Sequence, residues 1–323
     1  MEKNNIDYLR LSVTDRCNLN CVYCTPIEKD KFLTHNEILR YEEMVRLTRL
    51  FVQSGIKKVR VTGGEPLIKK GIIDLIKLLR KIDGLEELSL TTNGVRLKTL
   101  AQPLKDAGID TINISLDTLK RERFKEITRF DFFDDVWQGL LKVFSLGFKS
   151  IKLNVIPMKG INEDEILGFV NLTLKYPITV RFIEFFSTNE RTMKLANCLI
   201  DNSIIKEQIK NRFNQMTANT SSTADRPGPA QYYKIPHAKG LIGFINSSTG
   251  NFCNTCNRIR VDCAGKISPC LFSGYRYNIN SLLKNNESDE KIIACIKKAL
   301  ESKGEYTKHI ITDRKIEMSS VGG

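Results

Sequence analysis

Three cysteines near the amino terminus have the spacing of ligands to an iron–sulfur cluster. Cys17, Cys21 and Cys24 form a CxxxCxxC pattern directly after a β-branched run. Three thiolates suit a [4Fe–4S] cluster that keeps one iron open to another ligand. A structural zinc ion normally takes four protein ligands, and the nearby candidate for a fourth is His35. The ligand count therefore favours a cluster over zinc at this first cysteine group.

A second cysteine group, Cys253, Cys256 and Cys270, lies in the last quarter of the chain. Cys263 lies among them and could supply a fourth thiolate, so this stretch by itself is compatible with structural zinc or with a cluster. The chain has nine cysteines, and disulfides are rare in a reducing compartment. Their spacing therefore indicates metal binding or catalysis rather than cross-linking.

The net charge predicts an anionic partner. Fifty Lys and Arg residues against 37 Asp and Glu residues give a charge of +13. Nucleic acid, acidic lipid and a polyphosphorylated small molecule all fit that charge. A basic, metal-stabilised nucleic-acid-binding protein is the less favoured interpretation. Aromatic residues make up only 8% of the chain, and no stretch interleaves them with basic residues as a stacking surface would.

The hydrophobic pattern predicts an α/β protein. The 323 residues are 41% hydrophobic and 27% charged, which excludes a disordered chain, a fibre and a membrane bundle. Six β-branched runs alternate with amphipathic helical segments, and this alternation predicts a parallel sheet. The predicted strands are Tyr8–Val13, Lys58–Thr62, Glu87–Thr92, Thr111–Leu116, Lys149–Ile156 and Thr179–Phe186. The predicted helices include Asn36–Gln53, Ile72–Ile82 and Asp134–Leu146, the last with Asp134 as its N-cap.

Residues that directly follow the predicted strands are candidates for function, because parallel sheets bind ligands at the carboxyl ends of their strands. The segments Thr14–Cys17, Gly63–Pro66 and Asn93–Gly94 occupy such positions after the first three strands. We therefore expect these three segments to meet at one edge of the sheet.

The pattern changes beyond Asn197. A helical segment at Ile200–Phe213 is followed by Thr217–Ala230, which is rich in Thr, Ser, Pro and Gly and is interpreted as a mobile loop. Two short strand-like runs, Tyr232–Ile235 and Leu241–Ile245, precede the second cysteine group. We therefore predict a larger domain over residues 1–216 and a smaller one over 217–323.

The first cysteine motif, read as CxxxCxYC, resembles the radical S-adenosylmethionine (SAM) superfamily when it is taken together with Gly63-Gly64-Glu65-Pro66 after the second strand. The resemblance implies a partial (βα)6 barrel of TIM type, in which the open iron chelates the amino and carboxylate groups of SAM. One electron from the cluster would cleave the sulfonium to a 5′-deoxyadenosyl radical. Matching positions imply SAM contacts at Tyr23, Gly64, Ser115 and Phe186.

Longer motifs resemble one family within that superfamily, the GTP 3′,8-cyclases of molybdenum cofactor biosynthesis. These motifs are Arg226-Pro-Gly-Pro-Ala230-Gln-Tyr-Tyr, Ala238–Phe244, Phe252–Arg260, Cys270-Leu-Phe272 and the terminal Gly322-Gly323. The resemblance runs over essentially the whole chain and is weakest from Leu195 to Ala224. At Phe186 this chain departs from the family, which commonly has Met there.

The resemblance to the cyclases implies a second [4Fe–4S] cluster on Cys253, Cys256 and Cys270, with an open iron for the guanine of GTP. It also implies a use for the basic residues, because guanidinium groups hold phosphate oxygens in bidentate geometry. The implied GTP contacts are Arg10, Lys58, Arg60, Thr91, Lys152, Arg258 and Arg260. The implied catalytic residues are Arg10, Arg181, Arg258, Arg260, Gly322 and Gly323, with the glycine tail reaching into the active site.

The activity implied by this family is a lyase reaction, the first step of molybdenum cofactor biosynthesis. The radical would abstract the 3′ hydrogen of GTP, and C3′ would bond to guanine C8 to give (8S)-3′,8-cyclo-7,8-dihydroguanosine 5′-triphosphate. The alternative is another two-cluster radical SAM enzyme, such as a peptide maturase. Such an enzyme would not require Asn257-Arg-Ile-Arg260 or the terminal glycines.

The expected partners follow from the same resemblance. They are a low-potential electron donor, a downstream cyclic pyranopterin monophosphate synthase and a second copy of the chain in a homodimer, with no nucleic acid and no membrane. The chain has no apolar stretch of about 18 residues, and its first residues lack the apolar core of a signal peptide. We therefore expect a cytoplasmic protein.

Overall fold

The main feature of the fold is a twelve-stranded sheet. A computed structural model describes residues 6–24, 32–187, 190–219, 230–246, 256–271 and 277–305. Its strands are β1 Tyr8–Ser12, β2 Lys58–Thr62, β3 Glu87–Thr92, β4 Thr111–Ser115, β5 Ser150–Val155, β6 Thr179–Ile183, β7 Thr217–Ala218, β8 Ala230–Lys234, β9 Leu241–Ile245, β10 Arg258–Val261, β11 Lys266–Ser268 and β12 Tyr277–Asn278.

The centre of the sheet is parallel and its two edges are antiparallel. The strand order is β12-β11-β10-β1-β2-β3-β4-β5-β6-β9-β8-β7, and every pairing from β10 to β9 is parallel. The two outer pairs at each end are antiparallel. The expected α/β fold with six consecutive parallel strands is confirmed. The sheet does not close, because no pairing joins β7 to β12 among the described strands.

Two strands from the carboxyl-terminal third extend the parallel core. The sequence predicts β9 as a strand but not its place beside β6, and it does not predict β10, whose four residues lie within the cysteine-rich stretch. The sheet is therefore continuous across residue 216, and the predicted domain boundary there stays a prediction. Within the predicted mobile loop, Thr217–Ala218 instead pairs with β8, and residues 220–229 lie outside the described residues.

Strand ends were predicted less well than strand positions. The sixth strand ends at Ile183, which forms its last ladder pair, and not at Phe186. The prediction was too long because the apolar residues Phe185 and Phe186 continue beyond that pair. Apolar composition alone does not mark where pairing stops.

Helices cover the apolar face of the sheet. They are α1 Tyr41–Gln53, α2 Ile72–Arg80, α3 Leu97–Asp106, α4 Arg121–Thr128, α5 Phe133–Ser145, α6 Ile166–Lys175, α7 Glu190–Met193, α8 Asn202–Phe213, α9 Asn280–Lys284 and α10 Asp289–Glu301.

The prediction of Asp134 as an N-cap was wrong: Phe132 is the N-cap of α5, and Asp134 lies in the first turn, where its charge favours the helix N-terminus. None of the helices in the described ranges could cross a bilayer.

The last helix is fastened to the first. The Arg46 side chain of α1 donates from Nε to Asp289 Oδ1 at 2.8 Å and from Nη1 to Asn286 Oδ1 at 3.1 Å. A third bond from this guanidinium reaches the carbonyl of Glu287. These bonds fix the start of α10 against α1.

The second face of the sheet is polar. Strand residues alternate between the two faces, so ladder partners in neighbouring strands share a face. We call the following set the polar face: Tyr8, Arg10, Lys58, Arg60, Glu87, Ser89, Thr91, Asn113, Lys152, Asn154, Arg181, Arg258 and Arg260. Their neighbours along each strand, such as Leu9, Val59 and Leu153, are fully buried against the helices.

The polar face is concave. Arg60 lies on β2 and Arg181 on β6, four strand spacings apart, which is about 19 Å in a flat sheet. Burial lowers the pKa of Arg60, and the charges of Arg181 and Arg258 nevertheless lower it further. The curvature thus brings side chains from distant strands around a common interior.

Candidate active site

The first cysteine group lies at the carboxyl end of β1. Cys17, Cys21 and Cys24 are half-buried free thiols. The Cys17 sulfur accepts hydrogen bonds from the Leu19 amide at 3.4 Å and from Asn93 Nδ2 at 3.7 Å. The three thiols are close enough to act on one another: burial, followed by the neighbouring Cys17 sulfur, raises the pKa of Cys24 to about 12.

This group suits a cluster better than a single metal ion. Nowhere in the described ranges do three His, Cys, Asp or Glu side chains converge in a way that could hold one ion. In a four-iron cluster each thiolate binds a different iron, so the sulfurs need not converge on a point. Burial also raises the pKa of Cys17 to about 11, and iron would favour the thiolates and release their protons.

Tyr23 is held by a carboxylate that sequence analysis missed. Its hydroxyl donates to Asp117 Oδ2 at 2.5 Å, and the other carboxylate oxygen accepts from the Ile156 amide at 2.8 Å. Asn162 Nδ2 donates to the Asp117 carbonyl at 2.7 Å. Asp117 therefore joins the cysteine loop to the segments that follow β4 and β5. Burial raises the pKa of this carboxyl to about 6.

The Gly63–Pro66 segment packs on the loop that precedes Cys17. The Gly64 amide donates to Thr14 O at 2.7 Å, and the Glu65 amide donates to Arg16 O at 2.8 Å. A Cβ on Gly64 would lie 2.1 Å from Arg16 O, so the close approach of two backbones requires glycine.

Glu65 connects the same segment to the end of β3. Its carboxylate accepts hydrogen bonds from the Leu67 amide at 2.9 Å, Thr92 Oγ1 at 2.8 Å and the Asn93 amide at 2.6 Å. The three segments predicted to meet at one edge of the sheet are thus joined by direct contacts.

A cleft opens beside the first cysteine group. Cys21, Tyr23, Asn93, Ser115 and Asp117 are among the residues that line it. Tyr23 and Ser115, two of the residues expected to contact SAM, therefore share one cavity, whereas Gly64 is not among its lining residues and packs against Thr14 and Arg16. Phe186, the fourth expected contact, is half-buried just beyond the end of β6.

The polar face collects the basic residues expected to bind GTP. Six of its cations are buried at 7% exposure or less, and Arg258 is half-buried; the six are Arg10, Lys58, Arg60, Lys152, Arg181 and Arg260. Glu87 is the only acid in any strand of the described residues, and it pairs with Lys58 at 2.8 Å. Burial and the charge of Arg258 lower the pKa of Arg260 to about 10. Such a concentration of buried positive charge suits a polyanionic ligand.

Neutral side chains orient two of these cations. Arg181 donates from Nη2 to Asn113 Oδ1 at 2.6 Å and from Nε to Asn154 Oδ1 at 2.9 Å. Arg60 Nε donates to Ser89 Oγ at 3.2 Å. These acceptors fix the guanidinium groups without neutralising them, so their charge remains available to a ligand.

Tyr8 is a polar-face residue that sequence analysis missed, because it reads as part of an ordinary strand. Lys58 Nζ and Arg60 Cζ both lie 5.2 Å from the centre of its ring. Burial raises the pKa of Tyr8, but Arg60, Arg10 and Lys58 together outweigh burial and lower it below its ordinary value. Its buried hydroxyl, like that of Thr91, has no hydrogen-bond partner among the described residues.

The second cysteine group lies at the opposite end of the strands from the first. Cys256 precedes β10 by two residues, and Cys270 follows β11, which returns antiparallel to β10. Burial alone would raise the pKa of Cys256, but Arg258 and Lys303 outweigh it and lower the value to about 6. Cys253, Gly322 and Gly323 lie outside the described residues.

Cys263 does not belong to this end of the sheet. It follows β10, and the charges that act on its thiol are those of Asp15, Asp262 and Lys69. The strand β10 separates it from Cys256, so the four-thiolate zinc site that includes Cys263 is not supported.

Comparison with family models divides the chain into two matches. Residues 11–173 match the Radical SAM superfamily, and residues 178–309 match Molybdenum Cofactor Synthesis C.

Curated relatives match along nearly the whole chain. A GTP 3′,8-cyclase from Heliobacterium modesticaldum is 40% identical over 99% of this chain and 98% of its own length. One from Thermodesulfovibrio yellowstonii is also 40% identical, over 99% and 98%. One from Alkaliphilus metalliredigens is 42% identical over 98% and 96%.

Among solved structures, Streptococcus suis SuiB bound to S-adenosylmethionine has a similar fold. The TM-score is 0.65 at 16% identity, and the match covers 88% of this chain and 66% of SuiB.

Proposed function

The chain belongs to the GTP 3′,8-cyclase family of the radical SAM superfamily, and we propose on that basis that it converts GTP to (8S)-3′,8-cyclo-7,8-dihydroguanosine 5′-triphosphate. This reaction is the first step of molybdenum cofactor biosynthesis, and we assign the enzyme to the lyases. The observation that carries the proposal is the concave polar face, which lies between two cysteine groups at opposite ends of the same strands.

The polar face matches the charge of GTP. A triphosphate carries several negative charges, and Arg and Lys side chains pair with its oxygens through charge-assisted hydrogen bonds. Burial of six cations and half-burial of a seventh, with one acid among the described strands, is unfavourable in the absence of such a ligand. We assign the GTP contacts to Arg10, Lys58, Arg60, Thr91, Lys152, Arg258 and Arg260. The unpartnered Thr91 hydroxyl supports its place in this set.

The first cysteine group and its cleft are assigned to the SAM-binding cluster. Cys17, Cys21 and Cys24 would hold the cluster, and Tyr23, Gly64, Ser115 and Phe186 would contact SAM. When bound, the cluster and SAM supply the one-electron chemistry that removes the 3′ hydrogen of GTP. The protein supplies orientation: Asp117 fixes Tyr23, and Glu65 fixes the segment after β2 against the end of β3 at Thr92 and Asn93.

We assign a second [4Fe–4S] cluster to Cys253, Cys256 and Cys270. Two observations support this assignment. Cys256 and Cys270 lie at the same end of the sheet, and cations surround them. Arg10, Arg181, Arg258 and Arg260 would hold GTP against this end, and Gly322 and Gly323 would complete the site.

The reaction requires an electron donor. The hydrogen that leaves C3′ is replaced by one gained in the dihydro ring, so the product is an isomer of GTP. Each turnover takes one electron to cleave SAM, and a second electron with a proton to reduce the nucleotide radical that remains after C3′ has bonded to C8. We therefore propose a low-potential donor, cyclic pyranopterin monophosphate synthase as the enzyme that receives the product, a homodimeric state and a cytoplasmic location.

The test is anaerobic turnover with isotopically labelled substrate. We expect purified enzyme with about eight iron atoms per chain to convert GTP, with SAM and dithionite, to a product of unchanged mass. Deuterium at C3′ of GTP should appear in 5′-deoxyadenosine, whereas deuterium at C2′ should stay in the nucleotide. Transfer of the C2′ label, or cleavage of SAM with no change in GTP, contradicts the proposal.

A further inference from the structure

Lys303 joins the two chain segments that carry the second cysteine group. It lies in the short 3-10 helix Ser302–Glu305 that follows α10, and it is half-buried. Its ammonium donates to the carbonyl of Arg258 at 2.5 Å and to the carbonyl of Pro269 at 2.9 Å. It also lies 3.5 Å from the Cys256 sulfur.

These three acceptors belong to both ligand segments. Arg258 is two residues after Cys256, and Pro269 immediately precedes Cys270. An ammonium group has three hydrogen-bond donors, and each of them has an acceptor here. The Lys303 side chain, which belongs to neither segment, therefore fixes the distance between them.

Lys303 is itself held in place by the element that carries it. The bonds from Arg46 fasten the start of α10 to α1, and Ser302 Oγ donates to Ala299 O at 3.0 Å at the end of the same helix. The ammonium thus approaches Cys256 from a turn that continues an anchored helix.

We propose that Lys303 is a positioning residue for the second cluster, which holds the Cys256 and Cys270 segments at ligand spacing and supplies a fixed positive charge beside the Cys256 sulfur. This inference rests on the proposed assignment of a cluster to that group. Hydrogen bonds to cluster sulfurs and nearby positive charge raise the reduction potential of an iron–sulfur cluster.

The first cysteine group has a different environment. The Cys17 sulfur accepts from the neutral donors Leu19 N and Asn93 Nδ2, and the buried carboxyls of Glu65 and Asp117 act on Cys17 and Cys21 respectively. We therefore expect the second cluster to be reduced at a higher potential than the first, with Lys303 contributing to the difference.

The experiment isolates the second cluster by replacing Cys17, Cys21 and Cys24 with Ser in the full chain. In this background we expect about four iron atoms per chain. Lys303→Met should either lose more than half of that iron or shift the midpoint potential of the remaining cluster to a more negative value, as measured by an EPR redox titration. Lys303→Arg should keep the iron content and the midpoint potential closer to the parent values, because it keeps the positive charge.

Lys297→Met is the matched control, since Lys297 is exposed on α10, six residues before Lys303. If Lys303→Met is poorly folded by circular dichroism, Lys303→Gln replaces it, because Gln can still donate to a carbonyl but carries no charge. Iron content and midpoint equal to those of the control in the folded variant overturn the role of Lys303. Absence of iron from the parent background instead contradicts the second cluster, and with it that part of the proposed function.

Discussion

Asp117 connects three segments of the candidate active site through one side chain and one carbonyl. Its contacts with Tyr23 and with the Ile156 amide leave both carboxylate oxygens engaged. Asp117 lines the same cleft as Tyr23 and fixes the Tyr23 hydroxyl there, but it is not one of the cysteine ligands. Its removal should therefore change ligand affinity more than iron content.

For Asp117→Ala we expect SAM to bind roughly tenfold more weakly, because the buried Tyr23 hydroxyl loses an acceptor that contributes about 1.5 kcal/mol or more. Equilibrium dialysis of the reconstituted protein with labelled SAM gives the dissociation constant, and iron analysis should be unchanged. Asp83→Asn, at an exposed position, is the control. Unaltered SAM affinity in Asp117→Ala would mean that Tyr23 needs no fixed partner.

Lys152 tests whether the polar face binds phosphate. It is 2% exposed on β5 and lies away from both cysteine groups. Lys152→Met keeps much of the side chain's length but removes the charge, so GTP should bind roughly 10- to 100-fold more weakly. Guanosine, which has no phosphate, should bind as before. Equal losses for the two ligands would show that Lys152 supports the fold of the site instead.

Single residues can be predicted from the sequence where their type and spacing determine the chemistry. The cysteine groups and the basic strand residues fall into this class, and the structure brings the described members together on one face and at its two ends. Tyr8, Asp117 and Lys303 were missed because their partners are distant in sequence. The Tyr23–Asp117 pair spans 94 positions, and the Lys303–Cys256 pair spans 47.

At the scale of elements, the loop after β2 depends on its close contact with the loop after β1. Backbone hydrogen bonds from Gly64 and Glu65 fix the separation of the two loops, and a Cβ at Gly64 meets the rigid carbonyl of Arg16 rather than a flexible side chain. Neither backbone can move without displacing the segment that leads to Cys17.

We expect Gly64→Ala to lower the iron content from about eight towards four atoms per chain by displacing the first cysteine group. Gly168→Ala is the comparison, because in α6 the added Cβ meets only the end of Leu119 at 3.2 Å and alanine favours a helix. Iron analysis after identical reconstitution distinguishes the two variants. A Gly64→Ala protein with full iron and normal SAM affinity would contradict the close-packing argument.

Element positions follow from hydrophobic period, whereas element ends and partners do not. The strands β2, β3 and β9 have the predicted bounds, because turn residues flank each run. The strand β10 was not predicted because four alternating residues are too short a pattern beside a cysteine motif. Its parallel pairing with β1 is a long-range contact that local periodicity does not encode.

At the scale of the whole molecule, the glycine tail remains a prediction of the sequence. We expect deletion of Gly322 and Gly323 to keep both clusters and SAM cleavage but to stop ring closure, because glycine can enter a narrow pocket with backbone angles closed to other residues. Chromatography should then detect 5′-deoxyadenosine without the cyclised nucleotide. Normal yield of the cyclised product from the truncated chain would assign the tail no part in the reaction.

The two cysteine groups are separated by the length of the strands between them. Five residues of β1 cover about 16 Å, with Cys256 and Cys270 near the start of these strands and Cys17, Cys21 and Cys24 beyond their end. A ligand held at one end of the strands can contact a ligand at the other end only through an atom that extends far enough along the sheet. Under the proposed assignment of GTP to one end and SAM to the other, we expect the length of the strands to determine which atom of GTP lies close enough to react.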